Sequence, residues 1–203
     1  ADLAVHDRQE SCGAVGAAKE IDVPGEQHEI IGIIGANGAG QTTFINMVTG
    51  YMKPTSGRIE FKGRSILGLP PRDITCLGIS RSFQVPQIFA SESVFDNLMM
   101  AYAISEETGL GLLAPLYNDE RAERADSHLQ RYQIAAYRDA TASTLPQGIR
   151  KLLDIAMAAV RRPTLLMLDE PTSGISVEEK FGLMDVIMKA LREDETTVLF
   201  IEH

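Results

Sequence analysis

The stretch GIIGANGAGQTTFINMVTG, Gly32 to Gly50, decides how this chain is read. It is entered from EIIGIIG (Glu29–Gly35), a short isoleucine-rich run of the kind that forms a buried strand. Beyond Gly40, QTTFINMVTGYM sets Phe44, Met47 and Val48 at helical spacing. The order is therefore strand, glycine loop, helix. Glycines let backbone amides approach an anion closely, and the helix that follows adds the partial positive charge of its N-terminus. The spacing is that of a phosphate-binding loop, with Gly35, Gly38, Gly40, Gln41 and Thr42 in the places that matter. Thr42 offers a hydroxyl to Mg²⁺. Gln41 stands where the chemistry asks for a lysine. A bare glycine turn is the bland alternative, and the strand-before, helix-after context outweighs it.

The totals bound what such a loop can belong to. With 203 residues, 44% of them hydrophobic, the chain can build one domain with a sizeable core. Nineteen basic against 28 acidic residues give a net charge of −9, which argues against nucleic acid as a partner. Cys12 and Cys76 have neither metal nor redox spacing and read as free thiols of a reducing compartment. The first 26 residues lack the basic start and apolar stretch of a signal peptide. No run approaches the ~20 apolar residues of a membrane span. The expectation is a soluble chain that can still dock on a membrane protein.

Residues 1–29 are weakly patterned, with a turn at Pro24–Gly25. KPTSGRIEFKGRSI suggests a turn at Pro54–Gly57 and a hairpin pairing Arg58–Phe61 with Arg64–Ile66. Leu77–Phe83 reads as a further strand. From about Val94 to Tyr137 the composition turns to helix formers, and 94–150 reads as a helical subdomain interrupted by a loop or broken helix at Gly109–Tyr117, with i,i+4 charges such as Glu120 and Arg124 facing each other. IRKLLDIAMAAV is amphipathic. TLLMLDE is an apolar strand ending in two acids. SVEEKFGLMDVIMKALRE opens with a capping box, Ser176 and Glu179, and spaces Phe181, Met184, Ile187 and Leu191 helically. TTVLFIE (Thr196–Glu202) is a last strand. Alternating strands and helices at both ends imply an α/β core, a mainly parallel sheet flanked by helices.

The second chemical motif is LLMLDEPTSG. At the end of a buried strand Asp169 can hold Mg²⁺ through water, and Glu170 can polarise an attacking water. Adjacent acids alone usually mean a solvated strand end, but an upstream glycine loop changes their weight. Here the chain resembles the ATP-binding subunits of ABC transporters, in the group serving branched-chain amino acid uptake. NMVTGYMKPTSGRIEFKG resembles the segment after the Walker A loop. ISRSFQVPQIF resembles the Q-loop, with Gln84 as its glutamine, and SVFDNLMMA the start of the helical subdomain. LPQGIRKLLDIAMAAVRRPTLLMLDEPTSG resembles the signature helix running into Walker B, SGIS the D-loop, and the terminal IEH the switch.

That resemblance implies a P-loop NTPase core with a small N-terminal antiparallel β part and a helical subdomain at about 94–150, all within one nucleotide-binding domain spanning 1–203. It implies Gly35, Asn37, Gly38, Ala39, Gly40, Gln41, Thr42, Thr43 and Gly148 as nucleotide contacts. Thr42, Gln84 and Asp169 would serve Mg²⁺, and Glu170, Gln84 and His203 the hydrolysis of ATP. The partners implied are transmembrane permease subunits, a second ABC ATPase subunit, identical or homologous, and indirectly a periplasmic or extracellular solute-binding protein. The implied location is cytoplasmic, peripheral at the inner face of the membrane. Family members usually continue beyond the switch histidine, so a C-terminal part is expected after His203.

Four departures from the family pattern cluster where ATP is handled. At Gln41 the family has lysine; losing a charge-assisted hydrogen bond costs ~1.5–3 kcal/mol in binding and roughly 10²–10³ in rate where it stabilises a transition state. The signature, usually leucine, serine, any residue, glycine, glutamine, reads Leu145, Pro146, Gln147, Gly148, Ile149. Pro146 brings neither hydroxyl nor backbone N–H, though it suits a first helical turn. Cys12 stands where the family stacks an aromatic ring on adenine, and no aromatic residue precedes Phe44. The segment between Cys12 and Pro24 is also shorter than the pattern. The expected function is an ATPase subunit powering amino-acid import with impaired hydrolysis. The alternatives are a non-hydrolytic nucleotide-binding partner, or a scaffold with the family fold.

Overall fold

The computed structural model describes residues 3–6, 20–23, 30–34, 41–54, 57–82, 87–106 and 115–202. The chain divides into two compact units. The first comprises 1–81, 163–170 and 195–203; the second comprises 82–162 and 171–194.

The first unit carries two sheets. In chain order its elements are β1 (Leu3–His6), β2 (Glu20–Val23), β3 (Ile30–Ile34), α1 (Gln41–Val48), β4 (Arg58–Phe61), β5 (Arg64–Ser65), α2 (Pro71–Cys76), β6 (Ile79–Ser82, which leaves the unit after Arg81), β7 (Leu165–Asp169) and β8 (Thr197–Glu202). One sheet runs β3-β8-β7-β6, and β8 pairs in parallel with both β3 and β7. The other runs β2-β1-β4-β5 and is antiparallel. All five residues of β7 are buried, as a parallel strand covered on both faces requires. In β4 the alternation is plain, with Ile59 and Phe61 inward and Arg58 outward. Phe44, Ile45 and Val48 of α1 join Leu3, Ile59, Phe61, Met167 and Leu199 in one core. Helix α1 ends before Gly50, whose φ of +78° suits glycine; a Cβ there would lie 2.7 Å from the Leu69 carbonyl oxygen.

The fold class is the expected one, with a parallel sheet and a small antiparallel sheet. The glycine-loop strand, the 58–66 hairpin and the last two strands fall where the sequence put them. Three elements went unread. The weakly patterned N-terminus holds β1 and β2, which are only four residues each. α2 is a six-residue helix opened by Pro71 in its first turn, a fixed φ that pre-forms a helix too short to show periodicity.

The second unit is built on α3 (Val94–Glu106), α4 (Asp119–Arg131), α5 (Gln147–Ala159) and α6 (Val177–Glu193). The starts of α3, α4 and α6 are chemically marked. The Ser93 hydroxyl accepts from the Asp96 amide at 3.0 Å, and the Asn118 side chain accepts from the Arg121 amide at 2.7 Å. At the expected capping box, Ser176 Oγ accepts from the Glu179 amide at 3.4 Å and donates to the Glu179 carboxylate at 3.0 Å. Helix α3 packs on α4 and α5, and α5 on α6.

His128 sits where the first three meet. Its Nε2 is 2.9 Å from the Ala156 carbonyl, which can only accept, so Nε2 carries the proton and Nδ1 faces the Tyr102 hydroxyl at 3.3 Å. Tyr132 stacks on the ring at 4.9 Å. Burial holds the imidazole pKa down to about 4, against the pull of the Ala156 carbonyl.

Two details differ from expectation. Arg124 pairs with Glu106 at 2.6 Å across to α3, and its guanidinium lies over the Tyr102 ring, so tertiary contact displaces the local pair with Glu120. In α6 the buried stripe is Leu183, Ile187, Ala190 and Leu191, while Phe181 is 74% exposed. Phe181 and the exposed Val177 lie one turn apart on the outward side. Of the Gly109–Tyr117 segment, 109–114 lie outside the described residues. Among the described residues no helix is long and apolar enough to cross a membrane.

Candidate nucleotide site

In the first unit, chemistry gathers at one edge of the parallel sheet. Across β8, Ile33 stands opposite Ile201 and Ile201 opposite Asp169. The carboxyl end of β3, from which the glycine loop departs in sequence, and the carboxyl end of β7 are therefore level, separated by one strand. Ligands of open α/β sheets bind beyond these carboxyl ends. Helix α1 begins at Gln41, immediately after the loop.

Asp169 is the last residue of β7 and is 4% exposed. Its Oδ2 accepts from Arg81 Nη2 at 2.6 Å, while Arg81 Nη1 donates to Asn46 Oδ1 at 2.6 Å. A guanidinium only donates, which fixes the Asn46 amide with its oxygen toward Arg81. Glu170 follows at φ +44°, a left-handed conformation uncommon for an acid, and its amide donates to the Ile201 carbonyl at 2.9 Å. Such strain, of order 1–3 kcal/mol, persists where the surroundings over-determine it and often marks functional positions. Here the β8 hydrogen bond supplies one restraint, and the turn keeps Glu170 at the sheet edge, half-buried.

Gly35, Asn37, Gly38, Ala39, Gly40, Gln84 and His203 lie outside the described residues, as do the side chains of Gln41 and Thr42. Thr43 sits half-buried in the first turn of α1. Asp169, at the sheet edge, is joined to α1 through Arg81 and Asn46. Gly148 belongs to the second unit.

There Pro146 is the N-cap of α5, with no side-chain cap bond, and Gln147 is the first helical residue. The missing signature serine is thus also a missing cap. Gly148 has helical backbone, and a Cβ on it would meet nothing within 4 Å. Gln147 Nε2 donates to the Ser173 carbonyl at 3.3 Å, and beside it Gly174 has φ +72° with no room for a Cβ, which would lie 2.3 Å from that nitrogen. About two turns further along α5, Asp154 accepts from Ser82 Oγ at 2.6 Å and from the Gln87 amide at 2.9 Å. These two residues flank the segment that contains Gln84.

Sequence reasoning named the acids of this site but missed Arg81 and Asn46, and in the second unit it missed Asp154. A buried arginine three residues before Gln84 reads as an ordinary strand residue until its partner is seen. The donor set suits Mg²⁺: Asp169 is a hard oxygen donor at a strand end, linked through Arg81 to Asn46 of α1. Among the described residues no cluster of three or more His, Cys, Asp or Glu forms a self-sufficient metal cage. A cation held by one or two protein ligands and substrate phosphates needs none.

Residues 18–173 match the family described as ABC transporter. The high-affinity branched-chain amino acid transport ATP-binding protein LivG of Salmonella typhimurium is 36% identical over 207 residues, covering 99% of this chain and 81% of LivG. BraF of Pseudomonas aeruginosa, described in the same words, is 33% identical over 199 residues, covering 94% of this chain and 77% of BraF. Among solved structures, the ADP conformation of MJ1267, an ATP-binding cassette of an ABC transporter, superposes with a TM-score of 0.80 at 27% identity, over 100% of this chain and 81% of that one. A sheet edge that levels the carboxyl end of β3 with Asp169, a motif order kept along the whole chain, and relatives matched over nearly all of this chain lead to one assignment: the chain belongs to the ABC transporter family, in the group of branched-chain amino acid transport ATP-binding proteins.

Proposed function

We propose that this chain is the nucleotide-binding subunit of an importer of branched-chain or similar amino acids, and that it binds ATP with hydrolysis slowed by Gln41 and Pro146. The observation that carries the reading is the common edge of the sheet, where β3 leads in sequence into the glycine loop and β7 ends at Asp169, with Glu170 next. Gln41 donates a hydrogen bond but no charge to the phosphates. Thr42 and Asp169, with Gln84, would hold Mg²⁺, which when bound offsets the negative charge of the phosphates. Glu170 would orient and polarise the attacking water, and His203 would contact the terminal phosphate. Gly148, open to its surroundings, would face the nucleotide of a second ATPase subunit. Residues 1–203 would act as one nucleotide-binding domain, at the cytoplasmic face of permease subunits that select the solute with a solute-binding protein.

A calorimetric titration with Mg-ATP tests the binding step. The expected affinity is micromolar to sub-millimolar, about −5 to −8 kcal/mol. Gln41→Lys should tighten it roughly tenfold or more, the worth of a charge-assisted bond, and should raise turnover. Absence of binding in both forms would overturn the reading.

A second reading is favoured by Pro146 as N-cap. A signature without its hydroxyl completes the opposite site poorly, so the chain would serve as the non-hydrolytic half of a dimer with an intact homologue. Ordinary turnover by the isolated chain would exclude it.

A further inference from the structure

We propose that Arg81 is a positioning residue for the nucleotide-bound metal, acting by clamping Asp169 to α1. The proposal rests on the nucleotide-site reading above and deepens it.

Three observations converge. Arg81 and Asp169 are both buried, with side chains 8% and 6% exposed, and their contact is 2.6 Å. An ion pair so enclosed is costly to form and is kept only with good geometry and further hydrogen bonds. The second arm of the guanidinium supplies one of these by reaching Asn46, also at 2.6 Å. Finally, the three residues come from three elements of the first unit. Asn46 is on α1, the helix that starts at Gln41 and Thr42. Arg81 is on β6, three residues before Gln84. Asp169 ends β7. One side chain thus ties the helix that follows the glycine loop to the strand that ends in Asp169.

The geometry gives the clamp a direction. Arg81 takes Oδ2 of Asp169, so the carboxylate can rotate only by breaking a charge-assisted bond. Oδ1 is then held at a fixed bearing, which is the oxygen left to meet the hydration shell of a metal. A planar two-armed donor does this because its two N–H groups diverge at a set angle. A lysine would keep the charge and lose the angle.

The test compares nucleotide binding with and without metal, using ADP alone and ADP with Mn²⁺ as the probes, in the unaltered chain, Arg81→Lys, Asn46→Ala and the double variant. Arg81→Lys retains the countercharge of Asp169, and Asn46→Ala leaves the ion pair in place, so neither strips the buried acid of its partner. Circular dichroism melts check folding. In the unaltered chain Mn²⁺ tightens ADP binding. In Arg81→Lys the tightening falls about tenfold, the scale of one charge-assisted bond, while metal-free ADP affinity stays within about twofold. Asn46→Ala gives a smaller loss in the same quantity, and the double variant is no worse than Arg81→Lys, since the clamp acts as a unit. Equal losses with and without metal, or no loss in either, would overturn the inference while leaving the nucleotide site standing. If the unaltered chain binds neither ADP nor Mn-ADP, the site reading falls and the inference falls with it.

Discussion

At the scale of single residues, Gly148 separates what the fold needs from what function needs. Its backbone is helical and the space around its missing Cβ is open. Alanine should therefore be the better residue for the chain alone, by about 0.5–1 kcal/mol. Gly148→Ala is expected to raise the midpoint of denaturant unfolding and to weaken ATP-dependent dimerisation, read by sedimentation. A more stable variant that dimerises unchanged would show that the glycine serves neither purpose. The acids at 169 and 170 were legible because an apolar strand ended in them. Arg81 was not, because its meaning lies in a partner 88 positions away. Asp154 was hidden similarly: within IRKLLDIAMAAV it looks like the polar face of an amphipathic helix, yet it is 5% exposed and bonded at both oxygens.

At the scale of elements, α3, α4 and α5 are held partly by a histidine that must stay neutral. The folded pKa of His128, about 4, lies below its ordinary value of 6.5. Between those values the unfolded chain binds a proton that the folded chain refuses, so stability is full above pH 6.5 and falls as pH drops toward 4. The loss approaches about 3 kcal/mol. His128→Gln can still donate to the Ala156 carbonyl and should flatten the dependence of unfolding free energy on pH in that window, by up to one proton. A slope equal to that of the unaltered chain would place the pH sensitivity elsewhere. The helices themselves were readable from caps and periodicity, Ser176 with Glu179 most clearly. Their inward faces were less so. Phe181 fits a 3.6-residue stripe, but so does the set led by Leu183, and only packing decides between them.

At the scale of the whole molecule, the first unit is assembled from three separated stretches of chain. Its central pairing joins β3 to β8, with Ile30 opposite Val198. Such distant contacts make folding wait on loop closure. A chain ending at Asp194 lacks β8, which lies between β3 and β7. It should lose the cooperative unfolding transition of the first unit while α3 to α6 keep helical circular dichroism. Retention of the full transition would show that β3 and β7 find another arrangement. Sheet order of this kind was inferable only as a class. Alternating strands and helices imply a parallel sheet, whereas the insertion of the last strand between the third and seventh is set by long-range packing that no local pattern records.

The grip of Asp154 on Ser82 and Gln87 has a mechanical consequence. One carboxylate anchors both Ser82 and Gln87 to the same helix, the one that Pro146 caps. The anchorage can be cut at Asp154 without altering either of them. Asp154→Asn sets an amide N–H₂ against either the Ser82 hydroxyl or the Gln87 N–H, and only the hydroxyl can turn to accept it. Hydrogen exchange at the Gln87 amide should then hold steady, with any slackening confined to Ser82, whereas Asp154→Ala should release both ends and speed that exchange at least tenfold, about the worth of one buried charge-assisted bond. Equal exchange in all three forms would mean that Asp154 does not restrain the Gln87 amide.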